Sequence, residues 1–277
     1  MTDVEHTEPP PAHLLLWEAR AICAHAAFVG AFPWLRLLLP AGDGHPVMVL
    51  PGLAASDLST APLRAFLRSR GYAAYGWDLG RNLGLRPGLT ARKLMRLREI
   101  RERHGRKVSL IGWSLGGIFA REVAKELPDD VRQVITLGSP FKGHPKANRA
   151  WRLYEFLAGH SVDEARLGAS TSSAPLVPTT SIFSRSDGVV AWQCCMEDDR
   201  AQTENVEVRA SHFGLGAHPA ALYAIADRLS QPEGRWLPFD RSGLRRLVFP
   251  DPWRGVRQAA GTVFETNSSV LATRSPL

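Results

Sequence analysis

The sequence predicts an α/β protein in which helices cover both faces of a mostly parallel sheet. Three observations support this fold class. Short apolar runs rich in β-branched residues alternate with amphipathic segments from residue 46 onward. Glycine, proline and other turn residues bound these runs, as is typical of strands that are buried on both faces. A glycine-rich turn at 112–117 joins one predicted strand directly to a helix, which favours β-α units over separate layers of strands and helices.

The alternating pattern places six strands and four helices between residues 46 and 229. The strands are expected at 46–50, 72–77, 107–112, 131–137, 179–184 and 205–209. The helices are expected at 61–70, 90–104, 115–127 and 219–229. A chain of 277 residues can bury the core of one large domain. We therefore expect a single domain over residues 1–277.

The N-terminal stretch 13–40 is apolar but interrupted. Glu18, Arg20, His25, Pro33 and Arg36 break a run that a membrane span would have to continue for about 20 residues. We therefore expect a pair of helices that packs against the sheet, with attachment to a membrane surface as the alternative. The first twelve residues carry acids and prolines rather than a basic region, so no signal peptide is expected.

One connection, between residues 137 and 179, is too long for a simple turn. It contains several large apolar side chains and then the serine-, alanine-, glycine- and proline-rich stretch 168–178. Connections of this length are usually lids or binding loops. The sequence predicts a small helical cap inserted at 145–178, with its helix at about 145–165. The alternative is that its aromatic residues only complete the core. A basic C-terminal extension follows at 236–277.

Composition and charge exclude several function classes. The net charge is +7, but the basic residues are scattered among acids rather than gathered in a stripe, so nucleic-acid binding is not expected. Cys23, Cys194 and Cys195 fit neither a disulfide framework nor a zinc site. Reduced thiols indicate a reducing compartment, so we expect a cytoplasmic protein. We also expect no metal and no cofactor. The sequence predicts no particular oligomeric state.

The segment around Ser114 carries the strongest chemical signal. It has the form G-x-S-x-G, from Gly112 to Gly116, and lies between a predicted strand and a predicted helix. This context is typical of a nucleophile elbow, a strained turn that lifts a serine hydroxyl above a sheet. The helix that follows points its first N–H groups at the group under attack. Ser114 is therefore predicted as a nucleophile; the alternative is a glycine-rich turn with an idle serine.

A nucleophilic serine needs a base, and the base needs a carboxylate that orients it. His212 follows the last predicted strand in a loop of small residues and is predicted as the base. His218 is the alternative, although its place before Pro219 favours a capping or surface role. Asp187 follows the fifth strand and is predicted as the acid, unless it only forms an Asp-Gly turn. The later acids look like a solvated loop: Glu197, Asp198 and Asp199.

An acyl-transfer site also needs two backbone N–H groups that stabilise an oxyanion. Leu115, directly after the nucleophile, is the first predicted donor. Leu53, in the loop that contains Pro51 and Gly52, is the second, unless that loop is a plain turn. Substrate contacts are expected from Trp113 beside the nucleophile, and from two residues of the predicted cap, Trp151 and Phe156.

Together these motifs resemble the α/β-hydrolase superfamily, and within it compact bacterial lipases and esterases. The resemblance covers residues 46 to about 230, through the Pro51 loop, the Ser114 elbow and the segments 136–143, 186–190 and 211–215. It implies a Ser114–His212–Asp187 triad that works through an acyl-enzyme. The chain departs from these enzymes in having Pro51-Gly52 where they usually have His-Gly. It also shows no sign, before residue 46, of their usual first two strands.

The sequence therefore predicts a serine carboxylester hydrolase that acts on a small-molecule or lipid ester with an apolar acyl group. One alternative is a thioesterase or an acyltransferase that uses the same triad. Another is a catalytically idle scaffold that only binds. Fold and motif do not fix a substrate, so acyl length and the alcohol group are not predicted.

Overall fold

Six parallel strands form one sheet in the computed structural model, which describes residues 7–162 and 172–256. The parts of the predicted cap and C-terminal extension at 163–171 and 257–277 lie outside the described residues. The strands are β1 Pro46–Leu50, β2 Ala73–Gly76, β3 Val108–Trp113, β4 Val131–Leu137, β5 Thr179–Phe183 and β6 Thr203–Glu207. Their order across the sheet is β2-β1-β3-β4-β5-β6, and every neighbouring pair is parallel. The predicted α/β class is confirmed.

The inner strands are apolar because both of their faces are covered. Successive side chains of a strand point to opposite faces of the sheet. In β1, Val47 and Val49 accordingly join the core cluster on one face, whereas Met48 and Leu50 join the cluster on the other. β2, at the edge, alternates between buried and half-buried residues instead. The sheet thus separates two apolar cores.

Helices cover both faces. The described α-helices are α1 Ala12–Leu16, α2 Ala21–Leu38, α3 Ala61–Ser69, α4 Leu89–His104, α5 Leu115–Glu126, α6 Trp151–Ala158, α7 Pro219–Ser230 and α8 Arg245–Val248. α3 and α7 pack on one core, through residues such as Phe66 and Ile225. α4 and α5 pack on the other, through residues such as Leu97 and Phe119. The four helices predicted between residues 61 and 229 all form.

The N-terminal segment differs from its prediction. A 3-10 turn, Trp17–Arg20, joins α1 to α2, and the three together form one continuous helical segment from Ala12 to Leu38. Pro33 lies inside α2, which continues to Leu38 although a proline in a helix interior removes a backbone donor and crowds the preceding turn. We call Ala12–Leu38 the N-terminal helix.

The sequence predicts that the N-terminal segment packs against the sheet, but the N-terminal helix does not cover it. It lies over α3, α7 and the loop after β6, and buries only a narrow stripe that includes Ala24 and Leu35. By length and composition it could also cross a membrane, which the sequence analysis had excluded. Its few charges are spaced widely enough to leave an 18-residue window with no more than two of them.

The cap is built on the short helix α6, which is much shorter than the predicted 145–165. A 3-10 turn, Pro145–Ala147, precedes it, and Gly159 ends it in a left-handed conformation with φ 78°. The Tyr154 hydroxyl accepts the N–H of Leu85 at 3.3 Å, and Arg86 donates to the Leu157 carbonyl at 2.6 Å. These bonds attach the cap to the loop after β2.

One predicted surface cluster is partly buried. Glu197 was expected in a solvated loop, but it is only 1% exposed and forms an ion pair with the equally buried Arg121 of α5. A carboxylate is rarely this buried unless a cation accompanies it, and no local sequence signal identifies so distant a partner. Asp198 does lie at the surface, where Lys142 donates to it at 2.6 Å.

Candidate active site

Ser114 forms a sharp turn at the carboxyl end of β3. Its φ of 53° and ψ of −122° are strained for a residue with a side chain. Ser114 directly precedes α5. The flanking glycines are required by close backbone contacts. A Cβ at Gly112 would strike the backbone of Gly116 and Gly117, and one at Gly116 would strike the carbonyls of Leu50 and Pro51. The G-x-S-x-G spacing thus reflects backbone packed on backbone.

Asp187 and His212 form a buried pair at the same edge of the sheet. Asp187 lies in the loop after β5 (the acid loop, 184–190) and His212 in the loop after β6 (the base loop, 208–217). The His212 Nδ1 atom lies 2.7 Å from Asp187 Oδ2, and both side chains are almost fully buried. The other carboxylate oxygen, Oδ1, accepts the N–H groups of Val189 and Val190, each at 2.8 Å. The acid is therefore fixed in orientation.

The backbone after β4 connects this pair to the nucleophile. The Ser114 N–H donates to the Leu137 carbonyl at 2.8 Å. The next residue, Gly138, has φ 53°, and a Cβ there would lie 3.1 Å from Asp187 Oδ2 and 3.2 Å from His212 Nδ1. The structure thus brings the predicted nucleophile, acid and base to neighbouring strand ends.

The surroundings of His212 set its proton affinity. Burial alone would lower the pKa of the imidazole, because it disfavours the charged form. The negative charge of Asp187 and its hydrogen bond, with a smaller contribution from the charge of Glu18, outweigh burial and hold the pKa above its usual value. His212 is accordingly a stronger base than an isolated histidine.

The two predicted oxyanion donors border one cleft with Ser114. Leu53 and Leu115 both line it, and a Cβ at Gly52 would lie only 3.3 Å from the Ser114 Cβ. The fully buried Asn82 holds the Leu53 loop in place. Its side-chain amide donates to the Pro51 carbonyl at 2.9 Å, and its backbone bonds to the loop on both sides.

The cleft beside Ser114 is largely apolar. Its space amounts to about 570 Å³, including the part open to solvent, and its walls come mainly from α5, the loop after β4 and the cap. Trp151 and Tyr154 of α6 face it. The apolar residues that line it are Leu53, Leu115, Ile118, Pro140, Pro145, Ala150, Trp151, Tyr154, Val162 and Val190.

Two residues expected to contact substrate do not line this cleft. Trp113 packs against the base loop, and its indole N–H donates to the His212 carbonyl at 3.1 Å. Phe156 lies on the outer side of the cap helix and is 84% exposed. Because Trp151 and Tyr154 are three residues apart, they share the inner side of the helix, and Phe156 falls outside that side.

The other candidate base has no carboxylate partner of this kind. His218 occupies the position just before α7, and its buried Nδ1 has no hydrogen-bond partner in the described part of the chain. Burial lowers the pKa of its imidazole. Asp187 is paired with His212 instead, so the geometry favours His212 as the base.

A second Ser-His-Asp arrangement lies at the opposite end of the sheet. The His45 ring contacts Asp43 at 2.5 Å on one side and the Ser109 hydroxyl at 3.0 Å on the other. Both His45 and Ser109 are completely buried, so no substrate can reach the hydroxyl. Burial lowers the pKa of His45 to about 4 against the opposing effect of Asp43. This set is structural.

Glu18, which in the sequence only interrupts an apolar stretch, contacts both the acid loop and the base loop. Glu18 of the N-terminal helix is 6% exposed, and its carboxylate accepts backbone N–H groups from the acid loop and the base loop.

Within 7–162 and 172–256, no cluster of three or more His, Cys, Asp or Glu residues could hold a metal ion.

Comparison with solved structures gives the fold a name. No protein-family model matches the sequence, and no curated protein is similar enough to count as a match. Solved structures that are similar at TM-scores just above 0.5 include three lipases. A monoacylglycerol lipase from Paleococcus ferrophilus has a TM-score of 0.51 at 16% identity, over 69% of this chain and 96% of that one. The Bacillus licheniformis lipase BlEst2 has 0.51 at 19% identity, over 69% and 94%.

Lipase B of Aspergillus fumigatus has a TM-score of 0.52 at 21% identity, over 75% of this chain and 58% of that one. Identities this low establish shared architecture and not shared substrates. The parallel sheet, the elbow after β3 and the loops after β5 and β6 agree with that architecture. The protein has the α/β-hydrolase fold of these lipases.

Proposed function

We propose that this protein is a serine hydrolase that cleaves carboxylic esters with Ser114 as nucleophile, His212 as base and Asp187 as acid. One observation carries the proposal: the buried Asp187–His212 pair, joined at 2.7 Å, lies at the same sheet edge as a strained serine. Strain and a buried ion pair are costly, and they are typical of sites where they serve chemistry. The lipase-like fold supports the same reaction class.

In this mechanism, His212 removes the Ser114 proton while the hydroxyl oxygen attacks the ester carbonyl. The Leu53 and Leu115 N–H groups stabilise the resulting oxyanion. His212 then protonates the departing alcohol, which leaves an acyl-enzyme, and water activated by the same histidine releases the acid. Asp187 keeps the proton of neutral His212 on Nδ1, so that Nε2 is free to accept the proton of Ser114.

A fluorophosphonate probe tests the proposal on the unmodified protein. The folded protein should gain one phosphonyl group, on the tryptic peptide that contains Ser114, and lose ester hydrolysis in step with labelling. The heat-unfolded protein should not react, because only the assembled triad activates the hydroxyl. Turnover of an ester without labelling at Ser114 would contradict this assignment. A folded protein that neither reacts with the probe nor turns over esters or thioesters would instead support the idle scaffold.

The apolar cleft favours a substrate with an apolar acyl group. Each methylene that leaves water for such a cleft contributes about 0.8 kcal/mol, or about fourfold in binding. The same triad could release an acyl group from a thioester or pass it to a second alcohol. Parallel assays with acyl thioesters, and product analysis with added glycerol, separate these alternatives from simple ester hydrolysis.

Replacement of Trp151 by serine should reduce the preference for longer acyl chains. The indole lines the cleft, so its loss removes apolar contacts from the distal part of the chain. Turnover of p-nitrophenyl acetate should change little, whereas kcat/KM for the octanoate should fall by about tenfold, a loss of roughly two methylene contacts. The ratio of the two values is the measurement.

Phe156→Ser is the matched control, because Phe156 lies on the same helix but is largely exposed. Its chain-length ratio should equal that of the wild type. If Trp151→Ser lowers the melting temperature strongly while the ratio stays unchanged, the cap residues serve the core and not the substrate.

We further propose that the N-terminal helix rests on an anionic lipid surface. It exposes an unusual number of large apolar side chains: Leu15, Leu16, Trp17, Ile22, Val29, Trp34, Leu37 and Leu38. Glu18, its one acidic residue, is buried, and its two arginines, the half-buried Arg20 and the exposed Arg36, are cationic. Apolar and cationic groups together match an anionic membrane surface, whereas the net charge of +7 would repel a second copy of the chain.

The cytoplasmic location stays a prediction.

Vesicle binding checks this contact. The protein should co-sediment with vesicles of phosphatidylcholine and phosphatidylglycerol, and less with phosphatidylcholine alone. The double variant Trp17→Ser/Trp34→Ser should lose most of this binding, because each indole contributes a large apolar area. Met95→Ser, which changes an exposed side chain of α4, should bind like the wild type. An equal loss of vesicle binding in Trp17→Ser/Trp34→Ser and in Met95→Ser would argue against a lipid partner. So would a wild-type dimer that Trp17→Ser/Trp34→Ser dissociates.

A further inference from the structure

Glu18 connects the N-terminal helix to both catalytic loops through one carboxylate. Its Oε1 atom accepts the N–H of Gly188 at 2.8 Å and the N–H of His212 at 2.9 Å. Its Oε2 atom accepts the N–H of Phe213 at 3.0 Å. Gly188 directly follows the acid, and His212 is the base itself. The two loops belong to different strands, so this single side chain fixes their relative position.

The backbone of the helix lies unusually close to the same two loops. A Cβ at Gly188 would strike the backbone of Leu14 and Leu15, and one at Gly214 would lie 3.1 Å from the Ala24 Cβ. Arg20 adds a hydrogen bond to the Ser186 carbonyl at 3.1 Å. The glycines of the acid and base loops thus leave room for the helix, which holds Glu18 in a fixed place between them.

We propose that Glu18 is a positioning residue, which holds the backbones of the acid loop and the base loop so that His212 stays aligned with Asp187 and Ser114. This inference rests on the proposed function. It makes the N-terminal helix part of the catalytic apparatus and not merely a cover on the surface of α3 and α7.

A carboxylate suits this place better than an amide. Three N–H donors converge on it, and an ionised carboxylate offers only acceptors. Glutamine would keep the size but direct an NH2 group at one of those donors, and its oxygen would have no negative charge. The backbone of the base loop would then shift, and displacement of a catalytic group by about 1 Å can cost about 100-fold in rate.

The charge of Glu18 also acts on His212 directly. Among the described residues, two carboxylates bond to His212: that of Asp187 to its Nδ1 atom and that of Glu18 to its backbone N–H. Arg20 carries the opposite charge and bonds to the Ser186 carbonyl of the acid loop. The two negative charges raise the pKa of His212, with Asp187 contributing more. Removal of one of them should lower that pKa. Because the neutral imidazole is the active base, the acidic limb of kcat/KM should move to lower pH.

Glu18→Gln in the full chain tests the proposal with a short-chain p-nitrophenyl ester. We expect kcat to fall by about 10- to 100-fold with little change in KM, since the apolar cleft is untouched. The acidic limb of the pH profile should move down. Hydrogen exchange should quicken in peptides that cover 184–190 and 208–217, while β3 and β4 keep their protection.

Glu8→Gln is the control, since it removes the same charge from an exposed position ten residues earlier. It should leave rate, pH profile and exchange as in the wild type. The positioning role is wrong if Glu18→Gln keeps the wild-type kcat and pH profile, or if protection is lost throughout the sheet. These outcomes require an active wild type. A wild type that neither turns over esters nor reacts at Ser114 would overturn the proposed function instead.

Discussion

Ser114→Ala is expected to lower kcat/KM for a p-nitrophenyl ester by about 10³-fold or more. In the proposed mechanism, the hydroxyl oxygen forms the covalent bond to the acyl group, and alanine offers no atom that can replace it. Residual activity should reflect only the oxyanion donors and the cleft, which survive the substitution. Steady-state kinetics with purified protein, together with a melting curve, measure the effect.

Ser109→Ala is the matched control for this variant. Ser109 lies five residues earlier, within β3, and its hydroxyl lies 3.0 Å from the His45 ring. It is fully buried at the far end of the sheet, so we expect near wild-type kcat. Stability should fall by about 1–3 kcal/mol, because His45 would be left with an unpaired buried nitrogen. Loss of activity in Ser109→Ala at intact stability, or its retention in Ser114→Ala, would reverse the assignment of the nucleophile.

The sheet and the three candidate catalytic residues could be predicted because their signals are local. β1 is a continuous apolar run and β4 is rich in β-branched residues; both have turn residues at their ends, and both begin and end at the predicted residues. The G-x-S-x-G stretch specifies its own turn. Asp187 and His212 could be chosen because parallel strands deliver their loops to one edge of the sheet. Each of these inferences needs only a few neighbouring residues.

The features that the sequence did not reveal depend on distant partners. Glu18 bonds to residues 170 to 195 positions away, and Glu197 pairs with Arg121 at a separation of 76 residues. Glu18 was interpreted only as an interruption of an apolar stretch, and Glu197 as part of a solvated loop, because their partners could not be identified. Phe156 and Trp113 were misplaced for a related reason, since hydrophobicity alone does not reveal which side of an element faces a cleft.

Asp187→Asn is the second variant with a large expected effect, and its reason lies in the hydrogen bonds of the carboxylate. Asp187 Oδ1 accepts two backbone N–H groups, from Val189 and Val190, while Oδ2 faces His212 Nδ1. An asparagine at this position must turn its carbonyl oxygen toward the two N–H donors. Its NH2 group then points at Nδ1 and forces the neutral imidazole to carry its proton on Nε2.

In that tautomer His212 cannot accept the proton of Ser114, so kcat should fall by about 10³- to 10⁴-fold. Loss of the Asp187 charge also lowers the pKa of His212, because this carboxylate is the main influence that raises it. His212→Ala should be as damaging as Ser114→Ala, since the triad acts as a unit. Asp198→Asn, which changes an exposed acid, should leave kcat unchanged.

Nitrogen NMR of His212 separates this account from simple loss of structure. In the wild type, at a pH above the raised pKa of His212, the Nδ1-protonated form should dominate. Asp187→Asn should instead show the Nε2-protonated form in a protein with an otherwise native spectrum. Since His218 has no carboxylate partner, His218→Ala should alter neither the tautomer of His212 nor kcat. A fully active Asp187→Asn, or a dead His218→Ala beside an active His212→Ala, would mean that the buried pair at this edge is structural, like Asp43 and His45 at the other.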